Sequence, residues 1–127
     1  MQQLWQFVGL LSVHWLGDFV LQTRWQSQNK SKRVDALLRH VATYTAILLA
    51  GSLVIFGAKS LILWFVAING ALHFGVDLVT SRITSRLYAQ ERWHDFFAVV
   101  GFDQLIHQVT LAAMVVWLLG VSGPSTA

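Results

Sequence analysis

The chain has 127 residues, of which 55% are hydrophobic and only 12% are charged, and its net charge at neutral pH is +3. Soluble domains carry about 25% charged residues, so this composition is typical of a membrane protein and excludes an ordinary soluble domain. The absence of cysteine excludes a disulfide framework and a thiolate metal site. The basic residues are spread along the chain, so we expect no nucleic-acid partner.

Four apolar segments are each about as long as the roughly 20 residues that a membrane-spanning helix needs. They are residues 2–21, 37–57, 61–81 and 96–120. The sequence therefore predicts one all-α domain over residues 1–127, a polytopic membrane protein folded as a bundle of four transmembrane helices. We expect a polar loop over residues 22–35, an interfacial segment over residues 82–95 and a frayed tail after Gly120.

Basic residues predict the orientation of this bundle. The first and third loops, with their flanks, contain eight of them: Arg24, Lys30, Lys32, Arg33, Arg39, Arg82, Arg86 and Arg92. The second loop contains only Lys59. By the positive-inside rule, the basic loops are cytoplasmic and both termini lie on the outer side.

Three pairs of histidine and aspartate lie four residues apart within the apolar segments. They are His14 with Asp18, His73 with Asp77, and Asp103 with His107. Residues at this spacing lie on the same face of a helix, so both side chains of a pair can reach one ligand. At about 1.5 Å per residue, all three pairs and His40 lie in the cytoplasmic half of the bilayer, which predicts a single site.

The cost of burying these groups indicates that something compensates their charge. An intramembrane aspartate costs about 2.5–3.5 kcal/mol, so three cost about 8–10 kcal/mol. Imidazole and carboxylate are natural ligands for Zn, Mn or Fe(II). We therefore predict one or two divalent metal ions, with zinc favoured, held by the six paired residues. His40 has no aspartate four residues away and is either a further ligand or the catalytic acid/base.

Alternatives to a metal site stay open at this point. Each histidine could donate to its neighbouring aspartate in a purely structural network, and a proton relay or haem ligation would also use such residues. Two glutamines, Gln22 and Gln104, are candidates for orienting the metal ligands. Arg39 and Arg82 either snorkel to the interface or bind the phosphate group of a substrate.

These motifs together resemble a known family. The run His14-x2-Gly-Asp-Phe-x-Leu-Gln22, the histidine at position 40, the His-x3-Asp pair and the Asp-Gln-x2-His pair resemble small bacterial and phage membrane proteins, the family called domain of unknown function 3307. The resemblance covers about residues 5–120 and implies a bacterial inner membrane, but no activity. A looser likeness, in His/Asp pairs on membrane helices, is to inner-membrane proteins described as metal-dependent hydrolases.

The leading functional hypothesis is a membrane-embedded, metal-dependent hydrolase that acts on a lipid or lipid-linked phosphoester from the cytoplasmic half of the bilayer. A first alternative is an ion or proton transporter that uses the His/Asp chain. A second is a non-catalytic accessory membrane subunit whose polar cluster is structural. A homodimer that completes a substrate cleft is a further expectation.

Overall fold

The computed structural model confirms the all-α prediction for the residues it describes, which are 1–121 for the backbone and 1–118 for the side chains. We number the α-helices in chain order. They are α1 (Gln2–Trp15), α2 (Arg24–Asn29), α3 (Val34–Phe56), α4 (Ser60–Ala89) and α5 (Trp93–Val121), and a π-helical turn over Leu16–Val20 follows α1. The expected frayed tail after Gly120 lies outside the described residues, apart from the backbone of Val121.

The predicted number of four membrane spans is wrong, because the first predicted span, residues 2–21, is not one long α-helix. α1 has 14 residues, about 21 Å at 1.5 Å per residue, whereas the hydrocarbon core of a bilayer is about 30 Å thick. Among the described residues, α3, α4 and α5 are the helices long and apolar enough to cross a membrane. Hydropathy detects the apolar residues of the first segment, but it cannot detect the change from α-helix to π-helix after Trp15.

The π-helical turn brings the first segment against α3. The Leu21 amide donates to the Leu16 carbonyl, five residues earlier, at 2.8 Å, which is the hydrogen-bond spacing of a π-helix. A Cβ atom on Gly17 would lie 3.2 Å from a ring carbon of Tyr44, so glycine permits this close approach. The same turn directs the buried Asp18 towards α3. π-Helical turns frequently accompany functional sites.

A short helix, α2, forms within the first predicted loop. It starts with a capping box, in which the Thr23 hydroxyl accepts from the Gln26 amide at 3.1 Å and the Gln26 side chain accepts from the Thr23 amide at 3.0 Å. The guanidinium groups of Arg33 and Arg39 lie 5.6 and 5.4 Å from the ring centre of Trp25. These cation–π contacts fasten α2 to the start of α3.

α4 extends beyond the predicted span and reaches Ala89. The predicted interfacial segment, residues 82–95, is therefore mostly helical, and the connection from α4 to α5 is only Gln90–Arg92. Arg92 donates to Asp95 in the first turn of α5, at 2.8 Å. This continuous helix lets α4 contribute both to the apolar core and to the polar region near α2.

The four longer helices close into a bundle, with α1 against α3, α3 against α4, α4 against α5, and α5 back against α1. The buried apolar core is built mainly from Leu10, Tyr44, Leu48, Ile62, Phe65, Leu111 and Leu118. Large apolar side chains such as Leu63 and Val116 are 64% and 71% exposed on the outside. Extensive apolar surface of this kind is typical of a lipid-facing bundle.

Candidate metal centre

Seven ionisable side chains meet at one end of this apolar core. They are His14, Asp18, His40, His73, Asp77, Asp103 and His107. All are buried except Asp103, whose side chain is 13% exposed. Burial of a carboxylate is costly unless it is paired, hydrogen-bonded or bound to a cation, so the contacts within the cluster determine what it can do.

Four of these side chains direct one atom each towards a common centre, and we call them the quartet: Asp18, His40, His73 and Asp77. Asp18 Oδ1 lies 3.1 Å from His40 Nε2 and 3.4 Å from His73 Nε2. Asp77 Oδ2 lies 3.3 and 3.5 Å from the same two nitrogens, which are 3.1 Å apart. A tetrahedral ion with ligand bonds of about 2.0–2.1 Å separates its ligand atoms by about 3.3 Å. The quartet therefore has the dimensions of a metal site.

A second group of ligand atoms adjoins the quartet. His107 Nε2 lies 3.2 Å from Asp77 Oδ1 and 3.5 Å from Asp103 Oδ1. Asp18, Asp103 and His107 each offer one ligand atom, and these three atoms lie within 4.8 Å of one another. Asp77 thus faces the quartet with one oxygen and His107 with the other.

Gln104 and Tyr44 fix the protonation of His14. The Gln104 amide nitrogen donates to Asp18 Oδ2 at 3.0 Å and to Asp103 Oδ2 at 3.1 Å, which leaves its oxygen facing His14 Nε2 at 3.0 Å. His14 Nε2 must therefore carry a proton, and its Nδ1 accepts from the Tyr44 hydroxyl at 3.2 Å. Both ring nitrogens of His14 thus have a hydrogen-bond partner, Tyr44 or Gln104. The Nε2 atoms of His40, His73 and His107 instead face carboxylate oxygens at 3.1–3.5 Å.

Aromatic stacking holds two of the imidazole rings in position. The ring of His73 lies between Tyr44 and His107, with ring centres 3.9 and 4.2 Å apart and planes inclined by 17° and 20°. Each ring comes from a different helix, α3, α4 or α5. The Nε2 atoms of His73 and His107 are therefore positioned by ring packing as well as by hydrogen bonds.

Two further side chains complete the contacts of the carboxylates. Lys30, which follows α2, donates from Nζ to Asp77 Oδ2 at 2.9 Å. Thr80, on α4, donates to Asp103 Oδ1 at 2.6 Å. Sequence reasoning missed both residues. The spacing of Thr80, three residues after Asp77 on one helix face, was an available signal, whereas no periodicity could place Lys30.

A cavity of about 770 Å³ opens beside the cluster. Three aspartates line it, Asp18, Asp77 and Asp103, and so does the segment from Ser27 to Lys32. Gln22, predicted to orient a ligand, also lines it, and the Gln22 Oε1 atom has no hydrogen-bond partner among the described residues. The cavity therefore gives a substrate access to the carboxylates of the cluster.

The two arginines predicted to bind substrate lie elsewhere. Arg39 is over the ring of Trp25, and Arg82 donates to the Leu78 carbonyl at 2.8 Å on an exposed face of α4. Neither is among the residues that line the cavity. Their role in substrate binding stays a prediction that these positions do not support.

The family model described as "Protein of unknown function (DUF3307)" matches residues 6–126. The chain belongs to this family. The resemblance predicted from the His/Asp motifs is thereby confirmed over nearly the whole chain, and the family's description states no activity. A search of curated proteins found no match, and neither did a search of solved structures. The looser likeness to metal-dependent hydrolases therefore gains no support from these comparisons.

Proposed function

We propose that the protein is a membrane-embedded hydrolase whose quartet binds a divalent metal ion and whose substrate is a lipid or lipid-linked phosphoester. The observation that carries the proposal is the convergence of Asp18, His40, His73 and Asp77 at separations of 3.1–3.5 Å. Two imidazoles and two carboxylates form a ligand set that zinc accepts readily, and manganese or iron(II) also use it.

The alternative of a purely structural network accounts less well for the two facing histidines. His40 Nε2 and His73 Nε2 are 3.1 Å apart, and both face the same two carboxylate oxygens. Without an ion, each protonated Nε2 can donate to a carboxylate, but the two protonated nitrogens then lie 3.1 Å apart with no hydrogen bond between them. A cation instead attracts both lone pairs and both carboxylates at once.

The remaining groups suit hydrolysis. A divalent ion in the quartet would supply Lewis-acid polarisation and allow a water nucleophile to form at neutral pH. Asp103 lies outside the quartet, faces the cavity, and is oriented by Thr80 and Gln104. We assign Asp103 the role of general base towards a water in the cavity. His40 Nε2 faces both carboxylates of the quartet, at 3.1 and 3.3 Å, and this position favours a metal ligand over a catalytic acid/base.

Transport is less well supported by the packing. On the side of the cluster away from the cavity lie the buried apolar residues Leu10, Leu48, Phe65 and Leu111. A proton or ion path would need a continuous series of polar groups or water through this layer. Among the described residues of this layer, the buried polar side chains are Ser52 and Asn69, and Asn69 donates to the Phe65 carbonyl of its own helix. Two isolated polar groups are not a continuous series, so the layer suits a site that opens on one side only.

The experiment that tests hydrolysis uses purified protein in lipid vesicles, assayed against a panel of phosphoester and carboxylic-ester lipids. We expect activity that is lost on chelation and restored by Zn²⁺ or Mn²⁺. Replacing Asp103 by Asn should reduce kcat about 10²–10⁴-fold while the metal content is unchanged, because a general base contributes about this factor.

The matched control is Asp95→Asn on the same helix, since Asp95 pairs with Arg92 at the protein surface and is remote from the cluster. It should retain wild-type kcat. Metal-loaded protein that hydrolyses no member of the panel, or Asp103→Asn with wild-type kcat, would contradict the proposal.

A further inference from the structure

The cavity beside the quartet has an unequal distribution of charge. Asp18, Asp77 and Asp103 line it with three carboxylates, and Lys30 and Lys32 line it with two ammonium groups, where the chain passes from α2 to α3. With the quartet unoccupied by metal, three carboxylates outweigh two ammonium groups. A divalent ion in the quartet adds two positive charges beside Asp18 and Asp77, so the metal-loaded cavity attracts an anion more strongly than the metal-free cavity does.

Lys30 is the cation best placed to contact such an anion. Its side chain is 19% exposed and its Nζ reaches Asp77 Oδ2 at 2.9 Å, which places the ammonium group between the cavity and the quartet. A lysine ammonium has three donors, so it can keep the bond to Asp77 and donate to a phosphate oxygen as well. Lysine is a common phosphate ligand.

Ser81 is a second polar residue in the wall of this cavity. The residue is 7% exposed, lines the cavity, and its hydroxyl has no hydrogen-bond partner among the described residues. A buried hydroxyl without a partner is costly. The neighbouring Thr84 and Ser85 also line the cavity and add hydroxyl groups on the same helix.

One edge of the cavity is apolar. Phe19, Phe96 and Val100 line it, and Phe19 is 47% exposed at the outer surface of the π-helical turn. Because this edge adjoins the lipid-facing surface of the bundle, an acyl chain could leave the cavity directly into the bilayer. The cavity thus combines a polar pocket with an apolar exit.

We propose that the cavity binds the phosphate group of an acyl-chain-bearing phosphoester, with Lys30 and Ser81 as donors and the chain leaving past Phe96 and Val100. This inference rests on the proposed metal site, because the ion must first offset the carboxylates. The substrate-binding residues proposed here, Lys30 and Ser81, line the cavity. Arg39 and Arg82, the candidates from the sequence, do not line it.

The test titrates detergent-solubilised protein, loaded with zinc and freed of excess metal, with two probes by calorimetry. The probes are inorganic phosphate and a short-chain phosphatidic acid. Both should bind to the zinc-loaded protein, the phosphatidic acid at least tenfold more tightly, and neither should bind at the same concentrations after chelation. Metal content is measured on the same samples, so a failure of the metal site is distinguished from a failure of phosphate binding.

Two variants and one control sharpen the test. Lys30→Gln should weaken both probes at least tenfold with zinc content unchanged, since a hydrogen bond to a charged group is lost. Ser81→Ala, which removes only a hydroxyl group, should weaken the binding of both probes about threefold to tenfold. The control Lys59→Gln, in the connection from α3 to α4, should bind like wild type.

Zinc-loaded protein that binds neither probe would overturn the proposal, and so would Lys30→Gln and Ser81→Ala variants with wild-type affinity. Equal affinity for the two probes would overturn the assignment of an acyl chain to the apolar edge. Weaker binding of both probes in the two variants, with tighter binding of phosphatidic acid than of phosphate to wild type, would support it.

Discussion

Gln104 shows how one side chain can organise the cluster. Its amide nitrogen donates to Asp18 and Asp103, and its oxygen accepts from His14. When a side chain that orients a metal ligand is removed, the metal affinity of the site falls about 10–100-fold. We therefore expect Gln104→Leu to bind zinc about 10–100-fold more weakly in a competition with a chromophoric chelator, while the number of ions at saturation stays the same.

A matched control for this prediction is available on the same helix. Gln108 is exposed on α5, four residues from Gln104, so Gln108→Leu changes the same chemical groups without touching the cluster. It should bind zinc like wild type. If Gln104→Leu also bound zinc with wild-type affinity, Gln104 would have no positioning role.

Residue spacing in the sequence predicted part of the cluster and could not predict the rest. The pairs His14/Asp18, His73/Asp77 and Asp103/His107 follow from helical periodicity, because a separation of four places both residues on one face. Lys30 lies 47 residues before Asp77 in a turn, so its contact depends on how α2 packs. The proton on His14 depends on Gln104, which lies 90 residues away.

At the scale of helices, the contact between α1 and α3 positions two members of the cluster, His14 and Asp18. Gly51 on α3 makes this contact close, because a Cβ there would overlap both methyl groups of Val13 and approach its Cβ to 3.1 Å. We expect Gly51→Ala to lower the free energy of unfolding by about 1–3 kcal/mol, the usual cost of overpacking. Chemical denaturation in detergent measures this change.

Gly75 provides the comparison for that variant. An added Cβ on Gly75, within α4, would meet nothing within 4 Å. Gly75→Ala should therefore leave stability unchanged or raise it by up to about 1 kcal/mol, because alanine has the higher helix propensity. Equal effects of the two substitutions would show that the α1–α3 contact is looser than the structure indicates.

Hydropathy predicted the long apolar helices, because their length and apolar content are sufficient to identify them. The predicted spans at residues 37–57, 61–81 and 96–120 correspond to α3, α4 and α5. The π-helical turn was not predictable from hydropathy, because it accompanies a close approach of Gly17 to Tyr44, which lies 27 residues further along the chain. α2 could have been recognised, since the spacing of Thr23 and Gln26 is that of a capping box.

For the whole molecule, the three membrane-crossing helices make a prediction about sidedness. α3, α4 and α5 run in alternating directions, so the α2–α3 connection and the α4–α5 connection should share one side, and the α3–α4 connection should face the other. By the positive-inside rule, we expect the side that contains Lys30, Lys32 and Arg92 to be cytoplasmic.

Single-cysteine labelling measures this sidedness directly, because the chain contains no cysteine of its own. In intact bacterial cells, a membrane-impermeant maleimide should label Ser60→Cys, at the start of α4, but label Ser31→Cys only after the membrane is disrupted. Labelling of both variants in intact cells, or of neither, would contradict the proposed orientation.

The central claim is that the quartet binds a divalent metal ion, and the metal content of the purified protein tests it most directly. The protein is purified without a polyhistidine tag or chelator and analysed for metals by mass spectrometry, beside Asp77→Asn and the control Asp35→Asn. Asp77 contacts both His40 and His73, whereas Asp35 is exposed and pairs with Arg33. We expect at least one divalent ion per chain in wild type and in Asp35→Asn, and a loss of that ion in Asp77→Asn. Wild-type protein that contains no divalent metal, and takes up none when zinc is added, would contradict the account.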